Sequence, residues 1–147
     1  NGLRLLVLWL FVVILSGGFV AGTDAGFAYN TFPLMDGRWI PSGLFDHGPT
    51  VINFFENTIT IQFIHRVFGV LTVTAVLLFW MFRRIVTVDE RFLRWIHVLA
   101  LAAIAQVLLG ITTLVFVVPV PLAAAHQAGG LILFTTAILS LHAYRRI

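Results

Sequence analysis

Residues 58–82 read TITIQFIHRVFGVLTVTAVLLFWMF, an almost unbroken apolar run that carries one histidine and one arginine near its start. A helix needs about 20 mostly apolar residues to cross the hydrocarbon core of a bilayer. Three other stretches meet this requirement, at about residues 3–22, 92–118 and 122–143. The sequence therefore predicts an all-α membrane protein, a bundle of four transmembrane helices that forms a single domain over residues 1–147.

The composition supports membrane insertion and excludes several kinds of site. Hydrophobic residues make up 60% of the chain and charged residues 10%, whereas soluble domains carry about 25% charge. The net charge of +3 comes from arginines that cluster at helix ends, so we expect membrane lipid as a partner and no nucleic acid. The absence of cysteine excludes disulfides, zinc-thiolate sites and iron–sulfur clusters. Histidine is then the main candidate metal ligand.

The distribution of arginine predicts the orientation, because positive residues are retained on the cytoplasmic side. Seven arginines flank the predicted spans on one side: Arg4, Arg83, Arg84, Arg91, Arg94, Arg145 and Arg146. The long connection of residues 23–57 carries only Arg38 against four acidic residues. We therefore predict cytoplasmic termini and an outer loop over residues 23–57, rich in glycine and proline, with room for a short surface helix.

Two histidines lie inside predicted helices at similar depth. His65 is about two turns into its span and His126 about one turn into its own, counted from the outer end at about 1.5 Å per residue. A histidine in a membrane helix is costly and marks a pathway, a proton relay or a cofactor. Parallel helices present two imidazoles to opposite faces of one porphyrin, so the pair predicts axial ligation of a heme iron. The alternative is two unrelated polar residues that bond across helices.

Small residues lie one turn from each of these histidines. Gly69 follows His65 by four positions, and Gly129 and Gly130 follow His126 by three and four. Without side chains, these positions either leave a slot in which a flat macrocycle approaches the backbone or let neighbouring helices pack closely. The sequence leaves both roles open.

The remaining polar residues of the spans have their own interpretations. Arg66 either clamps a heme propionate through charge-assisted hydrogen bonds or extends to the interface. His97 and His142 lie toward the inner ends of their spans, where amphipathic rings favour the interface. Gln106 is mid-span and is expected to hydrogen-bond between helices. His47, in the outer loop, has no distinctive neighbours.

Three separated motifs carry a family resemblance: AGTDAGFAYNTFPLMDGRWIP at residues 21–41, QFIHR at 62–66 and PVPLAAAHQAGG at 119–130. In this order they resemble the heme A synthase family over essentially the whole chain. The resemblance implies the second, C-terminal half of an eight-helix protein of the bacterial or mitochondrial inner membrane. The apolar run that follows Asn1 lacks a small-residue cleavage site, so we expect no signal peptide and interpret the chain as a fragment or a processed piece.

The resemblance also implies a function. Members of this family oxidise a methyl group of heme O to the formyl group of heme A, with one half as the substrate site and the other holding a b-type heme. Here His65 and His126 are the implied ligands of heme b. The catalytic half carries a glutamate three residues before its first histidine, where this chain has Gln62, which cannot ionise. The implied activity is that of an oxidoreductase whose catalytic residues lie outside this chain.

The partners implied are an N-terminal four-helix half or a second copy, substrate heme O, heme O synthase, and a quinol or another electron donor. A heme with two histidine ligands has no open coordination position, so it suits electron transfer to or from a substrate heme. One alternative is a bis-histidine membrane cytochrome that oxidises quinol, for which His97 and His142 would form a second ligand pair. Another is a cofactor-free assembly or transport module.

Overall fold

The computed structural model describes residues 2–82 and 89–144. These residues form four long helices: α1 (Gly2–Gly22), α2 (Thr58–Phe82), α3 (Glu90–Val115) and α4 (Val120–Tyr144). Each is long and apolar enough to cross a membrane. The prediction of an all-α protein with four membrane spans is confirmed. Arg83, Arg84, Arg145 and Arg146 lie outside the described residues, and the cytoplasmic placement of the termini stays a prediction.

The four helices pack as a bundle in which each helix has two main neighbours. The helix α1 packs against α2 and α4, and α3 packs against the same two helices. Consecutive helices joined across such a bundle are antiparallel, so α2 and α4 run in the same direction at opposite corners. Side chains that point inward from these two helices therefore meet across the bundle axis.

The two ends of the bundle are filled differently. Buried apolar side chains cluster where α1 and α3 begin and where α2 and α4 end: Leu3, Leu10, Val76, Phe92, Ile96, Leu99, Ala100, Ala103, Leu133, Ala137 and Ala143. The opposite end holds both histidines of the candidate pair. Large apolar residues such as Leu5, Leu101 and Leu131 are exposed on the outside, as expected for helices that face lipid.

The connection from α3 to α4 begins earlier than the sequence predicts. The helix ends at Val115, and Val117 and Val118 have φ values of 60° and 55°, which are unusual for β-branched residues. Pro119 accounts for part of this, because a proline disfavours the helical conformation in the residue before it. The helix α4 then starts one residue before Pro121, within the first turn where proline is tolerated.

The loop of residues 23–57 is tied down by buried asparagines. It contains two short 3-10 helices, Ala25–Phe27 and Thr50–Phe54. They lie in the loop where the sequence predicts room for a short surface helix. Asn53 accepts a hydrogen bond from the backbone N–H of His47 at 2.9 Å. Asn57 donates to the Gly43 carbonyl at 2.8 Å and accepts from the first N–H groups of α2, as an N-cap does.

Candidate functional site

His65 and His126 face each other across the bundle. Their ring centroids are 6.4 Å apart and their planes are inclined by 85°. Within the described residues, neither ring donates a hydrogen bond to the other. The Nδ1 atom of His65 lies next to a hydroxyl group, whereas that of His126 has no hydrogen-bond partner there. The structure thus brings together the two residues that the sequence selects as candidate ligands.

The separation of the rings fits two imidazoles that bind one metal ion from opposite sides. A metal–imidazole nitrogen bond of about 2.0 Å and a further 1.1 Å or so to the ring centre place the two centroids about 6 Å apart. Two imidazoles joined by a hydrogen bond of about 2.9 Å would have centroids about 5 Å apart. The observed 6.4 Å agrees with the first arrangement and exceeds the second.

The helix α1 supplies the surroundings of His65. The hydroxyl oxygen of Ser16 lies 2.8 Å from the Nδ1 atom of this histidine. The next residue, Gly17, lies against the ring: a Cβ atom added there would be 3.1 Å from Cε1. This contact is tighter than side chains usually make, so glycine lets the α1 backbone approach the imidazole. Neither Ser16 nor Gly17 is among the residues that the sequence singles out.

The helix α3 approaches His126 in the same way. A Cβ atom added to Gly110 would lie 2.7 Å from Cε1 of this ring, closer than real Cβ atoms come to other atoms. Gln106, one turn before this glycine, donates from Nε2 to the His126 carbonyl oxygen at 2.8 Å, which confirms its predicted interhelical hydrogen bond. The Nδ1 atom of His126 and Oε1 of Gln106 are buried without a hydrogen-bond partner in the described part of the chain.

The three glycines that the sequence singles out differ in what surrounds them. A Cβ atom on Gly69 would meet nothing within 4 Å. A Cβ atom on Gly129 would overlap Oε1 of Gln106, and one on Gly130 would lie 3.4 Å from Nε2 of the same side chain. The contacts of Gly129 and Gly130 are therefore helix packing, whereas Gly69 borders open space one turn from its histidine.

Gln62 and Arg66 hold the start of the outer loop against α2. Gln62 is buried and donates from Nε2 to the carbonyl oxygens of Gly26 and Tyr29 at 3.2 and 3.1 Å. Arg66 donates to the carbonyl oxygens of Thr31 and Tyr29 at 2.7 and 2.6 Å. Its Nε atom is buried without a partner among the described residues. The loop segment is thereby fixed near the end of the bundle that carries the histidine pair.

The two histidines of the possible second pair lie elsewhere. His97 is exposed, and its Nδ1 atom is 2.6 Å from the Leu93 carbonyl oxygen of its own helix. Its ring centroid lies 6.1 Å from that of Trp80, and the two ring planes are inclined by 87°. His142 is also exposed. Within residues 2–82 and 89–144, these two rings make no contact with each other like that of His65 and His126.

Comparison with known proteins gives consistent similarities. The COX15-CtaA family, described as cytochrome oxidase assembly protein, matches residues 2–138. The chain is 48% identical over 137 residues to a heme A synthase of Nitrosospira multiformis. The aligned region covers 93% of this chain and 38% of that relative. It is 46% identical to the human heme A synthase COX15 over 94% of this chain and 34% of the relative. No solved structure matches the chain.

A more distant relative extends the range of organisms. The heme A synthase COX15 of Arabidopsis thaliana is 43% identical over 92% of this chain and 30% of its own length. The chain therefore spans about a third of the length of the curated relatives it matches. The four membrane-length helices and these relatives together make it a multi-pass integral membrane protein.

Proposed function

Because this chain belongs to the COX15-CtaA family of cytochrome oxidase assembly proteins, we propose that it is the b-type heme-binding half of a heme A synthase. In this role it supports the oxidation of the heme O methyl group to the formyl group of heme A, a reaction carried out in the other four-helix half. The observation that carries the proposal is the facing pair of His65 and His126 at a ring separation of 6.4 Å.

A heme held by His65 and His126 would supply one-electron transfer, because the two imidazoles would leave no coordination position for oxygen or substrate. The chain contributes the ligands from α2 and α4, and it contributes close backbone approach from Gly17 and Gly110. These contacts restrict rotation of both imidazoles. Gly69 borders open space one turn from His65, where the edge of a macrocycle would meet no side chain of that residue. Gly129 and Gly130 support the site indirectly, because they admit Gln106 beside α4.

Arg66 is the candidate partner for a heme propionate. Its guanidinium is half-buried in the helix end and is held by backbone carbonyl oxygens and by Oε1 of Gln62, none of which carries a full negative charge. Among the described residues, no carboxylate forms an ion pair with it. A buried arginine without an anionic partner is expensive in a membrane protein, and a propionate would neutralise the charge with matching planar geometry.

Gln62 supports the assignment of this half as the cofactor half. Both of its described hydrogen bonds to the loop run from the amide nitrogen to carbonyl oxygens. A glutamate in the same place has no hydrogen to donate when ionised, and its oxygens would face the carbonyls of Gly26 and Tyr29. The local structure therefore uses a glutamine as a donor, whereas a general base would need a carboxylate.

The test is the heme content of the purified full-length protein. We expect His65→Ala and His126→Ala each to abolish the b-type absorption spectrum of this half. The variants His97→Ala and His142→Ala are matched controls, since they remove histidines of the same helix bundle that lie outside the facing pair, and both should retain the spectrum. An unchanged spectrum in His65→Ala and His126→Ala would reject the proposal. Loss of one of two hemes in the control variants would favour the quinol-oxidising cytochrome instead.

A further inference from the structure

The hydroxyl of Ser16 connects α1 to the far nitrogen of a candidate ligand. It donates its hydrogen to the Val13 carbonyl oxygen at 2.7 Å, and the same oxygen atom lies 2.8 Å from Nδ1 of His65. A serine hydroxyl has one hydrogen and two lone pairs, and a backbone carbonyl can only accept. The hydroxyl hydrogen can serve only one of these two contacts, so both are hydrogen bonds together only when Ser16 donates to Val13 and accepts the second bond. The hydrogen of that bond therefore belongs to His65 Nδ1.

This arrangement determines which ring nitrogen of His65 has a lone pair available for a metal ion. A neutral imidazole carries one N–H group, so a hydrogen on Nδ1 leaves the lone pair on Nε2. A metal ion binds the nitrogen with the lone pair, and a hydrogen-bond acceptor on the opposite nitrogen orients the ring and raises its basicity as a ligand. We propose that Ser16 is a positioning residue that sets the tautomer of His65 and strengthens it as a heme ligand. This inference rests on the proposed function.

The two ligands are not equivalent in this respect. The Nδ1 atom of His126 is buried and has no hydrogen-bond partner in the part of the chain that the structure describes. Gly17 holds the His65 ring from the side, next to the serine, so the ring has little freedom to turn its Nδ1 atom away. Ser16 therefore acts on one ligand only. Removing its hydroxyl is expected to change the midpoint potential of the heme as well as the strength of heme binding.

A purely local role for Ser16 is the competing explanation. Serines inside helices often bond to a carbonyl of the preceding turn without further function. Ser140 of α4 provides the matched control: its hydroxyl is buried and lies 2.8 Å from the Thr136 carbonyl oxygen and 3.3 Å from that of Trp95. Within residues 2–82 and 89–144 it makes no hydrogen bond to a histidine. If only the loss of a buried hydroxyl mattered, Ser16→Ala and Ser140→Ala would have similar consequences.

The experiment compares Ser16→Ala, Ser16→Thr and Ser140→Ala in the full-length protein by heme dissociation and by spectroelectrochemical titration. Loss of a partner behind a metal-bound histidine lowers affinity by about 10- to 100-fold, so Ser16→Ala should release heme faster by a factor in this range. The midpoint potential should rise, since a less basic imidazole stabilises ferric iron less. Each tenfold preferential weakening of the ferric form corresponds to about 59 mV.

Ser16→Thr keeps the hydroxyl and should restore both values, and Ser140→Ala should match the unaltered protein. A Ser16→Ala variant with unchanged dissociation and potential overturns the proposal. If Ser16→Ala retains no heme, Ser16→Thr decides: recovery of the original potential supports the proposal, and a threonine variant that also lacks heme overturns it. Retention of heme by His65→Ala and His126→Ala would instead reject the proposed function itself, independently of Ser16.

Discussion

The contact between Gly110 and His126 gives the most quantitative prediction. In Gly110→Ala the new Cβ atom would lie 2.7 Å from Cε1 and 3.3 Å from both ring nitrogens. Carbon atoms in contact prefer about 3.5–4.0 Å, so the ring or the helix must move by about 1 Å. Such overpacking costs about 1–3 kcal/mol. If the ring can bind iron only in its original place, this energy appears as a loss of heme affinity of about 5- to 150-fold.

Two further alanine substitutions should give smaller losses of heme affinity than Gly110→Ala. The Cβ atom of Gly17→Ala would lie 3.1 Å from Cε1 of His65, which needs a shift of a few tenths of an ångström and should weaken heme binding by less than about tenfold. Gly18→Ala is the matched control on the same helix, because its Cβ atom meets nothing within 4 Å. Alanine also favours helix formation over glycine by about 1 kcal/mol, so the control should be neutral or more stable.

The assay is an absorbance titration of heme into each purified variant, with thermal unfolding measured alongside. Heme affinity should decrease in the order Gly18→Ala, Gly17→Ala, Gly110→Ala. The thermal stability of the heme-free variants should fall by no more than the overpacking cost of about 1–3 kcal/mol. Equal heme affinity in Gly110→Ala and Gly18→Ala would refute the reasoning, because it would mean that the His126 ring can leave its position without consequence for binding.

Three further substitutions test the neighbouring contacts. Gln62→Glu removes two donated hydrogen bonds, at about 0.5–1.5 kcal/mol each, because the Gly26 and Tyr29 carbonyls keep their bonds from Asn30 and Arg66. Limited proteolysis should therefore cut the loop of residues 23–57 faster, and an unchanged rate would contradict the anchoring role of Gln62. Arg66→Gln should loosen the same loop and also lower heme retention, whereas loss of loop protection with full heme retention would argue against a propionate contact. Gln106→Leu should lower the free energy of unfolding by about 1 kcal/mol, because the hydrogen bond to the His126 carbonyl is lost. A variant that is more stable than the unaltered protein would contradict that bond.

The sequence predicts the helices well because length and hydropathy determine membrane spans directly. The predicted span of residues 58–82 coincides with α2. The end of α3 could not be located in this way, since Val117 and Val118 are apolar and continue the hydropathy pattern although the chain has already turned. There the local conformation before Pro119 decides the boundary, and composition carries no signal for it.

The facing histidines follow from their equal depth on parallel spans, but their surroundings do not. Ser16 and Gly17 belong to a helix that the sequence does not place next to His65, and nothing in α1 separates Gly17, which contacts the ring, from Gly18, which contacts nothing. Arg66 illustrates a different limit. Its charge is evident in the sequence, whereas the loop carbonyls that hold it become its neighbours only through the fold.

The central claim is that His65 and His126 bind one heme iron together, and electron paramagnetic resonance of the oxidised full-length protein tests it most directly. Two imidazole ligands would make the ferric iron low-spin, which gives a signal distinct from that of high-spin ferric heme. We predict this signal for the heme of this half. A high-spin ferric signal would show that one axial histidine is missing and would contradict the claim.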